Sequence, residues 1–173
     1  MKTIFAISGS TRKNSSNEKL LYLFKEAVKN IYEVHLFNGI DTLPHFNPDR
    51  DDNPPKEVTD FVEAIEKADA ILICTPEYVF SIPGSLKNAI EWCVSKTAFL
   101  DKPTGIITAS ASGQKGHEEL QMILATLQAK VSPETSLLIQ GARGKIDDNG
   151  MISDAATQDQ LNIFISNFSA VIK

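Results

Sequence analysis

The chain is poor in cysteine, carries no excess of positive charge and has no long apolar run, and each shortage closes off a class of protein. Cys74 and Cys93 are the only two cysteines among 173 residues and form no C-x-x-C, so they suggest no disulfide framework. One lies in an apolar run and the other in a helical pattern, which reads both as reduced core thiols of a cytoplasmic protein. The formal net charge of −5 argues against nucleic acid as the main partner, because that affinity comes from neutralising phosphates. It also disfavours docking on an anionic membrane. No apolar run approaches the length of a membrane span, about eighteen residues, and Met1-Lys2-Thr3 leads into an apolar strand rather than a signal peptide. Two glycine-rich signatures are missing as well, since neither G-x-G-x-x-G nor G-K-[ST] occurs. The aspartate cluster Asp49–Asp52 lacks metal-ligand spacing.

What remains is an ordinary globular composition, 42% hydrophobic and 23% charged. It predicts one domain over residues 1–173 with a full core. Strand and helix patterns alternate along the whole chain. Residues 2–8 read as a first strand, and Leu20, Leu21, Phe24, Ala27, Val28 and Ile31 recur at helical spacing. Ser15 followed by Glu18 predicts a capping box at the start of that helix. Glu33–Phe37 reads as a second strand, and Asn38–Pro55 as a long polar connection of the kind that is usually functional or disordered. Val58, Phe61, Val62 and Ile65 mark the next helix. Ala70–Thr75 is a near-continuous apolar run, as a central parallel strand requires. A helix opening at Pro83 carries Leu86, Ala89, Ile90 and Cys93 inward. Gly105–Ala109 and Ser136–Ile139 read as strands four and five. Between them lies a helix with Leu120, Ile123, Leu124 and Leu127, and a last helix carries Leu161, Phe164, Ile165, Phe168 and Ile172. Five strands with intervening helices predict an α/β parallel sheet, and right-handed crossovers put helices on both faces.

In such sheets ligands bind beyond the carboxyl ends of the strands. The loop after strand one, Gly9–Asn17, holds four hydroxyls (Ser10, Thr11, Ser15, Ser16), the Asn17 amide and Arg12. Many neutral donors and one guanidinium fork at a helix start suit a terminal phosphate monoester. The loop after strand three, Pro76–Gly84, puts Tyr78, Val79 and Phe80 on a surface where they need something flat to cover. The loop after strand four, Ser110–His117, is small enough for its backbone to approach a ligand closely.

Three separated motifs, Gly9-Ser10-x-Arg12-x-x-Ser15-x-Asn17, Pro76-Glu77-Tyr78 and Ser81-x-Pro83-Gly84-x-Leu86-Lys87-Asn88-Ala89-Ile90-Glu91-Trp92, resemble the NADPH-dependent FMN reductase family, whose members include azo-, quinone- and chromate-reducing enzymes. The resemblance covers essentially the whole chain. It implies a flavodoxin-like doubly wound sheet of order 2-1-3-4-5 and FMN as cofactor. NADPH or NADH would be the reductant, with two electrons passed in ping-pong fashion to a small-molecule acceptor: a flavin, a quinone, an azo compound or similar. The first loop then binds the FMN phosphate through Ser10, Arg12, Ser15, Ser16 and Asn17. Pro76, Glu77, Tyr78, Val79 and Phe80 lie along the ring, the backbone of Glu77 more than its side chain, and Ser110, Ser112 and Gly113 approach its pyrimidine edge. Backbone N–H groups of Ser110–Gly116 are expected to stabilise charge developing there. No side chain is required as acid, base or nucleophile, because the chemistry is the flavin's. Many members carry Asn where this chain has Val79. Trp92 is expected in the core or an interface, and His35 and His117 in structural roles. A homodimer or homotetramer is implied. The competing readings are a non-enzymatic flavodoxin-type electron carrier and a flavin-binding regulatory module.

Overall fold

A computed structural model describes residues 1–147 and 149–172. Five strands, β1 (Lys2–Ser8), β2 (Tyr32–Phe37), β3 (Ala70–Thr75), β4 (Thr104–Ser110) and β5 (Ser136–Gln140), form one parallel sheet of order β2-β1-β3-β4-β5. The helices are α1 (Ser16–Val28), α2 (Lys56–Lys67), α3 (Gly84–Glu91), α4 (Gln114–Thr126) and α5 (Ala155–Val171). This is the doubly wound, flavodoxin-like arrangement. Alternation along each strand sorts its side chains to two cores. Phe5, Ile7, Ile71, Ile73 and Ile106 pack against α2, α3 and α4. Ile4, Ala6, Leu72, Cys74 and Ile107 pack against α1 and α5. Every residue of β3 is buried, which is why its sequence shows no polar alternation. Gly105 lets α5 settle on the sheet, since a methyl there would stand 3.0 Å from the Phe164 ring.

Two local expectations change. Ser15 Oγ accepts the Glu18 N–H at 3.1 Å, but the Glu18 carboxylate does not return to Ser15. It accepts from the N–H of Asn14 at 2.7 Å and from Asn38 Nδ2 at 3.1 Å, because Asn14 turns through a positive φ of 54° and presents its own amide. The connection 38–55 is ordered rather than loose. It contains short 3-10 turns at Ile40–Thr42 and Pro48–Arg50 and buries Ile40 and Leu43. Asn88 of α3 accepts the Phe46 N–H at 2.7 Å and donates to Pro44 O at 3.0 Å, while Trp92 Nε1 donates to the same carbonyl at 2.8 Å. Pro83 itself stands just ahead of α3, in extended conformation.

Asn88→Leu removes the donor and acceptor that hold this connection and leaves buried backbone groups unpaired. A loss of about 1–3 kcal/mol is expected, together with faster limited proteolysis between residues 43 and 55. Unchanged thermal unfolding and cleavage would show that the bonds from Trp92, Ser95 and Lys96 hold the segment without Asn88.

Candidate functional site

The chain runs from β1 to β2 on one side of the sheet and then returns past β1 to β3, so the strand order reverses between β1 and β3. At the carboxyl ends of β1, β3, β4 and β5 lies a cavity of about 480 Å³, a size that suits a small ligand.

One part of its lining is Ser10, Arg12, Ser15, Ser16 and Asn17. The Gly9 N–H donates to Cys74 O at 2.8 Å, which draws the end of β1 tightly onto β3. Ser10 Oγ then accepts the Arg12 N–H at 3.2 Å, and Ser15 Oγ caps α1. Both hydroxyls serve as acceptors toward the protein and so keep their protons for an outside acceptor. The Ser16 and Asn17 N–H groups open α1 and have no intrahelical carbonyl to bond, and the helix start carries partial positive charge. The Asn17 side chain is spent elsewhere: Nδ2 donates to Ala109 O at 3.2 Å and Oδ1 accepts from Cys74 Sγ at 3.4 Å. It ties α1 to β3 and β4, and its backbone N–H is what remains for a ligand.

The second part is Pro76, Glu77, Tyr78, Ala109, Ser110 and Ala111. The Glu77 carboxylate accepts the N–H of Gly113 at 3.1 Å and of Gly116 at 2.8 Å. It therefore caps the start of α4 and occupies two of the donors expected to serve developing negative charge. That expectation is corrected for those two groups. Gly113 and Ser112 do not line the cavity, and neither do Val79 and Phe80. Tyr78 and Ser81 instead exchange backbone hydrogen bonds of 2.9 and 3.1 Å. They close a tight turn with Val79 (φ 53°) and Phe80 (φ 60°) at its tip, both largely exposed. A third contribution, Gly141, Ala142, Arg143 and Gly144 after β5, was not anticipated. The strand-end rule applies to β5 as it does to its neighbours, and a Gly-Ala-Arg-Gly run following a strand was the available signal.

Of the other singled-out residues, Cys74, Cys93, Trp92 and His117 lie in the core, whereas His35 is exposed on β2 beside Glu33. Cys74 and Cys93 are buried and free. Burial drives both thiols up, Cys93 to about 12, with the Glu66 charge adding to it, so neither is a nucleophile. Trp92 is buried. Among the described residues there is no cluster of His, Cys, Asp or Glu that could hold a metal. No described helix is long and apolar enough to cross a membrane.

His117 is buried in α4 with Nδ1 2.8 Å from Thr108 Oγ1. Burial, outweighing the nearby Glu118 charge, lowers its pKa from 6.5. The folded chain therefore keeps it neutral where the unfolded chain begins to take a proton. Its stabilising contribution is whole above about pH 6.5 and is lost as pH falls through the lower folded value. Thermal unfolding of His117→Gln is expected to fall less between about pH 7.5 and 5 than that of the parent chain. Equal slopes would mean that the imidazole is not held neutral.

The lining fits FMN by its donor chemistry. A cradle of hydroxyls, helix-start N–H groups and Arg12 adjoins walls of Pro76, Tyr78, Ala109 and Ala111, and the nearby Glu18 carboxylate is bonded to Asn14 and Asn38. A sheet of this order with an anion cradle at its first crossover defines a flavodoxin-like mononucleotide-binding protein. A family model described as NADPH-dependent FMN reductase matches residues 2–144, and the chain belongs to that family. It is an NAD(P)H-dependent oxidoreductase with FMN as its cofactor. The chain is 30% identical to the NADH:(hydroxy)cinnamate reductase subunit CrdA of Vibrio ruber, over 94% of this chain and 83% of that protein. It is 29% identical to a quinone reductase of Escherichia coli K12, covering 98% of this chain and 95% of that one. The flavoenzyme NAD(P)H:(acceptor) oxidoreductase FerB from Paracoccus denitrificans superposes with a TM-score of 0.88 at 30% identity, covering 99% and 97% of the two chains.

Proposed function

We propose that the enzyme passes two electrons from NAD(P)H through FMN to a quinone-type acceptor, the two substrates using the site in turn. The observation that carries this reading is one cavity in which a cluster of hydroxyls, helix-start N–H groups and Arg12 adjoins Pro76, Tyr78, Ala109 and Ala111. Ser10, Arg12, Ser15, Ser16 and the N–H of Asn17 hold the FMN phosphate. Pro76, Glu77, Tyr78, Ser110 and Ala111 flank the ring. Bound FMN supplies the chemistry by accepting a hydride equivalent from NAD(P)H and returning two electrons to the acceptor. The residues bind and orient; none is needed to move a proton. Quinone reductases among the relatives, including a 2-hydroxy-1,4-benzoquinone reductase of Burkholderia at 28% identity, support the acceptor class. Exposure of Tyr78, Val79 and Phe80 beside the cavity supports a homodimer or homotetramer in which a second subunit completes the wall.

The test is anaerobic absorbance of the FMN-loaded protein titrated with NADPH, followed by initial rates with benzoquinone. Bleaching at about one equivalent and parallel double-reciprocal lines are the expected results for alternating two-electron use of one cofactor. Bound flavin that NADPH does not bleach, or intersecting lines, would overturn the electron path or the alternation respectively.

A further inference from the structure

We propose that Glu119 is a positioning residue for this site: its carboxylate holds the Val79–Phe80 turn closed through Ser81 and Ile82, and so keeps Tyr78 against the cavity. The inference rests on the reading of that cavity as the FMN and acceptor site.

The turn has the backbone of the tight hairpin turn in which both central residues take positive φ, for which Asn-Gly is the favoured pair. Val79 and Phe80 occupy those positions at φ 53° and 60°. A left-handed conformation is unfavourable for any residue with a Cβ and most so for a β-branched one. Such strain persists only where the surroundings over-determine it. Here α4 does so from both sides. Before the turn, Glu77 bonds to the N–H groups of Gly113 and Gly116. After it, Glu119 Oε2 accepts the Ser81 hydroxyl at 2.5 Å and the Ile82 N–H at 3.2 Å. Gly116 permits the close approach, since a methyl there would lie 3.1 Å from Ser81 O. Glu119 is only half-exposed, so these charge-assisted bonds are less weakened by water than surface ones. Of the three residues between the two fastenings, Tyr78 is the one that lines the cavity. Releasing the second fastening frees the strained turn to open and carries Tyr78 away from the ring wall. The phosphate cradle lies in the loop between β1 and α1 and in the first turn of α1, and is untouched.

The experiment uses the full-length FMN-loaded protein. It reads amide hydrogen exchange at Ser81 and Ile82 alongside KM and kcat for benzoquinone. Glu119→Ala is expected to speed exchange and raise KM by about tenfold each, with kcat within about twofold. Glu119→Gln retains a carbonyl that accepts both bonds and is expected to stay near the parent values. Placing Asn-Gly in the turn (Val79→Asn with Phe80→Gly) in the Glu119→Ala background should restore slow exchange, because that pair closes the turn unaided. Parent-like exchange in Glu119→Ala, or no restoration by Asn-Gly, overturns the proposal. If Glu119→Ala alone does not fold, the Asn-Gly version must recover folding, and a triple variant that stays unfolded also overturns it. A parent chain that takes up no FMN overturns the reading of the cavity instead, and exchange in the apoprotein then decides whether Glu119 holds the turn.

Discussion

Gly9→Ala is expected to lower stability by about 1–3 kcal/mol and to weaken FMN binding in the same step. A methyl at position 9 would stand 2.4 Å from Thr75 Oγ1, 2.7 Å from Thr75 Cβ and 3.1 Å from Leu86 Cδ2. None of these can yield easily. Thr75 is fully buried, and its hydroxyl donates to Pro76 O at 3.0 Å. The Gly9 backbone is fixed by its bond to Cys74 O. The strand ends must therefore separate, and the residues that follow them, Ser10 and Pro76, both line the cavity. Packing and cofactor affinity are coupled by geometry at this point. For a chain of this size the stability loss corresponds to a fall in Tm of roughly 3–10 °C. Gly84→Ala is the control, because nothing lies within 4 Å of a methyl there and the position opens a helix. It is expected to be neutral or to stabilise by a few tenths of a kcal/mol. Equal behaviour of the two variants in thermal unfolding and FMN titration would remove the close approach of β1 and β3 as a requirement of the site.

How far the molecule can be read from its sequence depends on the range of the interaction concerned. β3 shows itself because burial on both faces leaves Ala70–Thr75 without polar alternation, and α1 shows itself through the spacing of Leu20, Leu21, Phe24 and Val28. The serine-rich loop is legible because Ser15 acts on Glu18, three residues away. What stayed hidden is held by side chains reaching distant backbone. Glu77 bonds to amides 36 and 39 positions further on, and Asn88 orders Phe46 from 42 positions away. Such bonds leave no periodic trace, so Glu77 reads as a backbone contact more than a side-chain one and residues 38–55 as a polar loop. The Val79–Phe80 turn is hidden for another reason: its residues contradict its backbone, and local propensity predicts a different conformation. Arg143 escapes the sequence reading because the strand-end rule is applied there only to the loops after strands one, three and four, although four strand ends meet at the cavity.

Arg12→Ala is expected to weaken FMN by roughly ten- to a hundredfold, the equivalent of a charge-assisted hydrogen bond of about 1.5–3 kcal/mol. It should leave riboflavin affinity nearly unchanged. The difference between the two ligands is the phosphate alone, so the comparison isolates the cradle from the ring walls. The remaining donors explain why binding is weakened rather than abolished. The hydroxyls of Ser10 and Ser15 and the first-turn N–H groups of α1 stay in place, and the exposed Arg12 side chain carries no packing that its removal would disturb. Arg12→Lys restores charge without the planar fork and is expected to recover only part of the loss. Salt dependence gives an independent reading, since FMN affinity in the parent chain should fall with ionic strength more steeply than in Arg12→Ala. If FMN and riboflavin weaken equally in Arg12→Ala, the arginine acts on the ring or the fold. If neither weakens, Arg143 becomes the cation to replace next, because it is the other arginine lining this cavity.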